Sequence, residues 1–176
     1  MMEFKELIKD RRSVRNYSEA VPHDDLVSIL DDARMAPSWK NSQTYRCYAV
    51  EDPEKIAAFR EAALPSFNQK NSANAAYIVS TFVKDIAGFN EGAPVNEPGN
   101  CWGAYDLGLH DAYLLLSARS HGYDTLIMGL RDAAAIKKLL SIPENEEIMS
   151  VIAVGKRAAE PAFRPRKELE EVVKFF

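Results

Sequence analysis

Ala75-Ala76-Tyr77-Ile78-Val79-Ser80-Thr81-Phe82-Val83 is a dense apolar run, and the choice of fold class rests on it. It is rich in β-branched and aromatic residues and too short for a membrane helix, so it reads as a strand buried on both faces. A second such run, Ile148-Met149-Ser150-Val151-Ile152-Ala153-Val154, closes at Gly155. Shorter strand patterns fall at Arg46–Val50 and at Thr125–Leu130, the latter containing Gly129. Between them the spacing changes to that of helices. Phe4, Leu7 and Ile8 share one face of a short amphipathic helix; Leu26, Ile29, Leu30 and Ala33 make the stripe of a second, over about residues 23–35. That helix starts with Asp24 and Asp25 in its first turn, has Arg34 in its last, and stops before Pro37. Asp52-Pro53-Glu54 opens another helix, carrying Ile56, Ala57 and Phe59 inward, and Ala133–Leu140 forms one more. Strands alternating with helices indicate an α/β or α+β fold.

The longest helix is expected from about Trp102 to His121, ended by Gly122 in a left-handed cap. Its apolar residues, Leu107, Leu109, Ala112, Leu114, Leu115, Leu116 and Ala118, surround much of the cylinder. Such a helix lies within the core or at a subunit contact. The polar segment Ser66–Ser72 is expected to be exposed. Residues 86–100, with Gly88, Gly92, Pro94 and Pro98, are expected to form an irregular and mobile loop. His23, His110 and His121 need no catalytic role: surface, packing and helix-end positions account for them.

A length of 176 residues suits one domain. The net charge of −4 argues against nucleic acid as a main partner, since phosphate backbones demand a basic face. No apolar run approaches the roughly 18 residues of a membrane helix, and the opening Met1-Met2-Glu3-Phe4-Lys5-Glu6 lacks signal-peptide order. A cytoplasmic location is expected. Two cysteines, Cys47 and Cys101, far apart in sequence, exclude a Cys-x-x-Cys knuckle and are expected as buried thiols.

For chemistry, three patterns stand out. Asp10-Arg11-Arg12-Ser13-Val14-Arg15 crowds three guanidiniums and a hydroxyl together at the end of the first helix. Guanidinium forks match phosphate oxygens, but cations at a helix C-terminus also simply satisfy the last carbonyls. Ala36-Pro37-Ser38-Trp39-Lys40-Asn41-Ser42-Gln43-Thr44-Tyr45 is either a plain turn or a polar-aromatic loop lining a site. Arg164-Pro165-Arg166 is a second basic cluster, followed by a tail whose Leu169, Val172, Val173, Phe175 and Phe176 suit docking on an apolar surface. There is no Gly-x-Gly-x-x-Gly turn, no Gly-Lys-Ser/Thr phosphate loop and no Gly-x-Ser-x-Gly elbow. Basic clusters without an acid–base pair suit a bound phosphorylated cofactor that carries the chemistry itself.

Taken in order, Arg11-Arg12-Ser13-Val14-Arg15, Ala36-Pro37-Ser38 with Asn41-Ser42-Gln43, Ile127-Met128-Gly129, and Gly155 with Glu160-Pro161 and Arg164-Pro165-Arg166 resemble the FMN-dependent nitroreductases over nearly the whole chain. The resemblance implies an α+β fold with a central, mainly antiparallel sheet flanked by helices, in an intertwined homodimer with two FMN sites at the subunit interface. It implies that Arg11 and Ser13 hold the ribityl phosphate with Arg164 and Arg166, with Arg12 beside them. Arg15 would face the pyrimidine edge of the flavin. Asn68 would touch the ring's polar edge, and a second contact there falls on Asn71, with Lys70 as a possible substitute. Pro37, Ser38, Trp39 and Asn41 would come from the partner subunit. Ile127 and the backbone of Met128 and Gly129 would lie against flavin N5, and no side chain would be catalytic. The tail, about residues 167–176, would extend onto the partner. The implied activity is hydride transfer from NADH or NADPH through FMN to a nitroaromatic, quinone or flavin acceptor by a ping-pong mechanism. The alternatives are a flavin-storing protein without turnover and a family member with other flavin chemistry, such as flavin cleavage or dehalogenation. The chain departs from the family at Gln43-Thr44-Tyr45, where Gln-Pro-Trp is frequent, so the choice of acceptor is open.

Overall fold

A computed structural model describes residues 3–176. The central element is β3 (Ala76–Val83), which pairs antiparallel with β7 (Glu146–Arg157) on one side and β2 (Tyr45–Val50) on the other. β7 is long enough to serve two further partners. Its residues Val151 to Gly155 pair with β6 (Asp124–Met128), and its end pairs with the short β1 (Tyr17–Ala20), all antiparallel. The parallel contact is a single bridge, Ser13 to Thr125.

Residues of β3 alternate between two cores, as the two-residue period of a strand requires. Tyr77 and Val79 pack with Phe59, Ala63 and Ile136 under α3 (Pro53–Ala63) and α6 (Ala133–Leu140). Ala76 and Ile78 pack with Leu26, Ile29, Leu114 and Ala118 under α2 (His23–Ala33) and α5 (Cys101–Ser120). Tyr77, Ile78, Val79 and Ile152 are fully buried, each worth about 1.5–3 kcal/mol of burial for an aliphatic or aromatic side chain. Burial on both faces is what makes the runs read as continuously apolar. α1 is Phe4–Asp10, α4 is Ser66–Asn71 and α7 is Leu169–Val172. The expected α+β class with a mainly antiparallel sheet is the observed one.

Several expectations need correction. Ser66–Ser72 is exposed only in part, at Ser66, Phe67 and Lys70. It forms α4, and its Asn68 and Ser72 are buried because their polar atoms are bonded: Asn68 Nδ2 donates to Leu130 O at 2.9 Å and Ser72 Oγ to Asn68 O at 2.7 Å. Tyr17–Ala20 is a strand that the sequence reading passed over. On the single chain α5 is buried on one side only. Its buried side carries polar residues as well as leucines: His110 and Asp111 face the sheet, Asp106 meets the Trp39 loop and Ser117 meets Asp32 of α2, whereas Tyr105 and Tyr113 are exposed. His110 is a buried packing residue as expected, with Asp111 Oδ1 at 3.2 Å from Nδ1, Cys47 Sγ at 3.9 Å from Nε2, and the Tyr45 ring stacked at 4.1 Å. Both cysteines are free, but Cys101 is exposed; burial pushes the half-buried Cys47 thiol up to about 12, with Asp111 adding to the shift. Residues 86–100 are looped around a two-residue hairpin, β4 (Phe89–Asn90) with β5 (Ala93–Pro94). No helix among the described residues is long and apolar enough to cross a membrane.

Candidate active site

Two basic segments far apart in the chain meet in space. α1 ends at Asp10, and the next residues run extended beside β6, held by the Val14 N–H donating to Thr125 O at 3.0 Å. Past the end of β7 the chain turns back along this segment, with Ala158 N–H donating to Asn16 O at 3.0 Å. Between the two lies a cavity of about 510 Å3 walled by Arg11, Arg12, Ser13, Arg15, Glu160, Arg164 and Arg166. Five arginines thus line one space. None of them has a carboxylate within 4.0 Å among the described residues, and their side-chain bonds go to backbone oxygens, as Arg12 to Arg11 O and Arg166 to Arg164 O, both 2.9 Å. Arg12 also lies over the Phe163 ring at 4.9 Å. Burial, then the nearby Arg166 and Arg12, push the Arg11 guanidinium below its ordinary range, against a smaller opposing pull from Asp124. The one carboxylate in the wall, Glu160, is taken up by Arg157 at 2.8 Å. Such a concentration of unneutralised cationic donors fits a phosphate dianion.

Arg15 also lines a second hollow of about 220 Å3, with Phe67, Asn68, Asn71, Ile127, Met128 and Gly129. The structure thereby brings Arg15, Asn68, Asn71 and the 127–129 strand end together, and Asn71 rather than the exposed Lys70 stands in the wall. The backbone here is held firmly. Asn68 donates to Leu130 O, Arg131 Nη1 donates to Gly129 O at 2.8 Å, and Arg131 Nη2 donates to Ile148 O.

Pro37, Ser38, Trp39 and Asn41 line neither hollow. They sit on the α5 side, where Trp39 N–H donates to Asp106 Oδ2 at 2.8 Å and the Trp39 ring packs 4.9 Å from Trp102. Lys40, Asn41 and Gln43 all hold positive φ, at 48°, 55° and 47°, a conformation that costs non-glycine residues energy and often marks a functional loop. Ser38 Oγ accepts from Gln43 N–H at 3.0 Å and closes the turn. Burial raises the Asp106 carboxyl above its ordinary value, and the Trp39 N–H bond partly offsets this.

The sequence reading missed what stands behind the cavity. Asp124, buried at the start of β6, accepts from Arg157 Nε and Nη2, both at 2.7 Å, and from Arg119 Nη1 at 3.1 Å; Asp10 faces both arginines. Taken singly, Asp10, Asp124 and Arg157 carry no sequence signal for this arrangement. No cluster of metal-ligating residues occurs among the described residues.

The sequence profile of the Nitroreductase family matches residues 8–156. A Bacillus subtilis protein named for NAD(P)H nitroreductase activity is 29% identical over 193 aligned positions, covering 90% of each chain. A Thermus thermophilus NADH dehydrogenase is 26% identical, covering 93% of this chain and 91% of its own. Among solved structures, a protein of Exiguobacterium sibiricum assigned as a nitroreductase and crystallised with FMN superposes with a TM-score of 0.86 at 22% identity, covering 100% of this chain and 98% of its own. Matched by the family profile over most of its length and sharing the family's fold, the chain belongs to the nitroreductase family, a family of oxidoreductases.

Proposed function

We propose that the chain is a cytoplasmic, single-domain FMN oxidoreductase, residues 1–176, working as an intertwined homodimer with two flavin sites. The observation that carries this reading is the five-arginine cavity joined through Arg15 to the hollow at the end of β6. The residues fit the cofactor: unneutralised guanidiniums for a phosphate, and next to them a hollow lined by apolar residues and the amides of Asn68 and Asn71 for a ring. Arg11, Ser13, Arg164 and Arg166 would bind the ribityl phosphate, with Arg12 at its flank. Arg15 would set positive charge beside the pyrimidine edge, where it favours a reduced, anionic ring. Asn68 and Asn71 would orient the polar edge. The backbone of Ile127, Met128 and Gly129, fixed by Asn68 and Arg131, would lie against the ring centre. Bound FMN supplies the redox chemistry, accepting hydride from NADH or NADPH and passing electrons on to a nitroaromatic, quinone or flavin.

One open ring face used in turn by donor and acceptor gives ping-pong kinetics. The protein's contribution is positioning and charge; no side chain need give a proton, because solvent reaches the open hollow. Two features support the dimer: the exposed Tyr105 and Tyr113 on α5, and the exposed Leu169, Val172, Phe175 and Phe176 of the tail. In that assembly Pro37, Ser38, Trp39 and Asn41 of the partner would close each site, which accounts for a strained, firmly tethered loop far from its own chain's arginines. Steady-state oxidation of NADPH with menadione or a nitroaromatic tests the proposal. Acceleration above free FMN supports it, with parallel lines in double-reciprocal plots. Flavin retained without acceleration would favour a storage role instead.

A further inference from the structure

We propose that Arg157 is a positioning residue for the arginine cavity: one guanidinium ties together the two chain segments that wall it. The proposal rests on reading that cavity as an anion site. Arg157 ends β7 and does not itself line the cavity; its side chain is only 12% exposed and lies behind the wall. Each edge of its fork has a different task. Nε and Nη2 grip the two oxygens of Asp124, which is 1% exposed, at 2.7 Å each. Nη1 reaches forward to Glu160 Oε2 at 2.8 Å, in the wall that leads to Arg164 and Arg166. Nη2 also lies 3.7 Å from Asp10, the residue before Arg11. The grip on Asp124 is at the root of β6, next to Thr125, which bonds Val14 in the other wall.

The arrangement is therefore layered. Asp10 and Asp124 form a rear layer of carboxylates knotted by Arg157 and Arg119, Arg157 reaches from it to Glu160 in the wall, and five guanidiniums without a carboxylate partner belong to the wall in front. Like charges crowded in this way repel, and two surface segments would splay apart unless something held them. A planar fork with several donors can serve three carboxylates in different directions, which a lysine ammonium on a flexible stem does poorly. Asp124 also draws Arg11 toward itself electrostatically, against the repulsion from Arg12 and Arg166. Arg157 is thus fixed relative to both halves of the site while touching nothing bound in it.

Two variants separate positioning from charge. Arg157→Lys keeps the charge and loses the fork. Glu160→Ala removes an exposed carboxylate, 84% accessible, whose loss threatens no core packing. By charge alone, deleting Glu160 from the cavity wall should tighten anion binding; if Arg157 positions the wall through it, binding weakens. The full-length chain freed of flavin is titrated with FMN and with riboflavin, which has the ring and no phosphate. Both variants should bind FMN roughly fivefold to tenfold more weakly, the scale of one impaired charge-assisted hydrogen bond, and riboflavin as the wild type does. Either variant binding FMN as tightly as the wild type, or more tightly, overturns the proposal. Equal loss of FMN and riboflavin also overturns it, because general loosening of the fold would do that. If Arg157→Lys fails to fold, Glu160→Ala alone carries the test. Wild-type chain that binds riboflavin as tightly as FMN overturns the anion-site reading, and the role of Arg157 with it.

Discussion

Replacing Arg11 with methionine keeps an apolar stem and removes one of the five cavity cations. Its effects on binding and on folding should have opposite signs. With phosphate present, one charge-assisted interaction disappears, worth about 1.5–3 kcal/mol, which corresponds to roughly 10- to 150-fold in the FMN dissociation constant. Without phosphate the sign reverses. Burial, Arg166 and Arg12 all disfavour the charged form of Arg11 in the folded chain. A cation whose folded pKa lies below its unfolded value costs stability wherever it is protonated, which for arginine is every accessible pH. Removing it should stabilise the flavin-free protein. The cavity is open to solvent, which screens the repulsion, so the gain is at most about 1 kcal/mol, a rise of about 2–4 °C in melting temperature for a domain of this length. Calorimetric titration with FMN and riboflavin, beside thermal melts of the flavin-free and FMN-loaded forms, reads both effects. The reasoning is refuted if Arg11→Met binds FMN like the wild type, or if its flavin-free form melts lower.

Arg15→Gln should shift the reduction potential of bound flavin downward more than it weakens retention, since Arg15 stands where the two hollows join; redox titration against a reference dye checks this, and a large loss of FMN at unchanged potential contradicts it. Ending the chain after Arg166 removes Leu169, Val172, Phe175 and Phe176, all exposed on the single chain, and should weaken dimerisation as read by gel filtration over a dilution series. Asp106→Asn retains an acceptor for Trp39 N–H and removes a carboxylate whose pKa burial raises. A carboxyl with a raised folded pKa costs stability once it ionises, so the variant should melt higher than the wild type at neutral pH. That advantage should vanish as the pH falls below the usual carboxylate range; a gap that persists in acid would contradict the assignment.

The sheet was legible because β3 and the Ser150–Gly155 part of β7 are buried on both faces and announce it as mostly apolar runs. β1 was not, since only Tyr17 of its four residues is fully buried and its place depends on the far end of β7. α4 escaped for a related reason: Asn68 and Ser72 look solvent-seeking, and only a partner from another element, such as the Leu130 carbonyl, makes burial affordable. α5 misled in the other direction. Its leucines suggested burial all round, whereas the sheet side holds a polar seam in which Asp111 accepts from Ser80 Oγ at 2.8 Å. Of the site, the arginines could be read as a local cluster, yet their convergence with Arg164 and Arg166 could not come from spacing. The carboxylate layer behind them was invisible, because Asp10, Asp124 and Arg157 are unremarkable singly and acquire meaning only through contact.

The central claim, that this cavity and hollow hold FMN, is tested most directly by the visible absorption spectrum of the purified full-length protein after FMN is added and unbound flavin is removed by gel filtration. The account predicts oxidised-flavin bands that travel with the protein, bleach with dithionite, and release FMN in equimolar amount on denaturation. A colourless protein that takes up no FMN would contradict it.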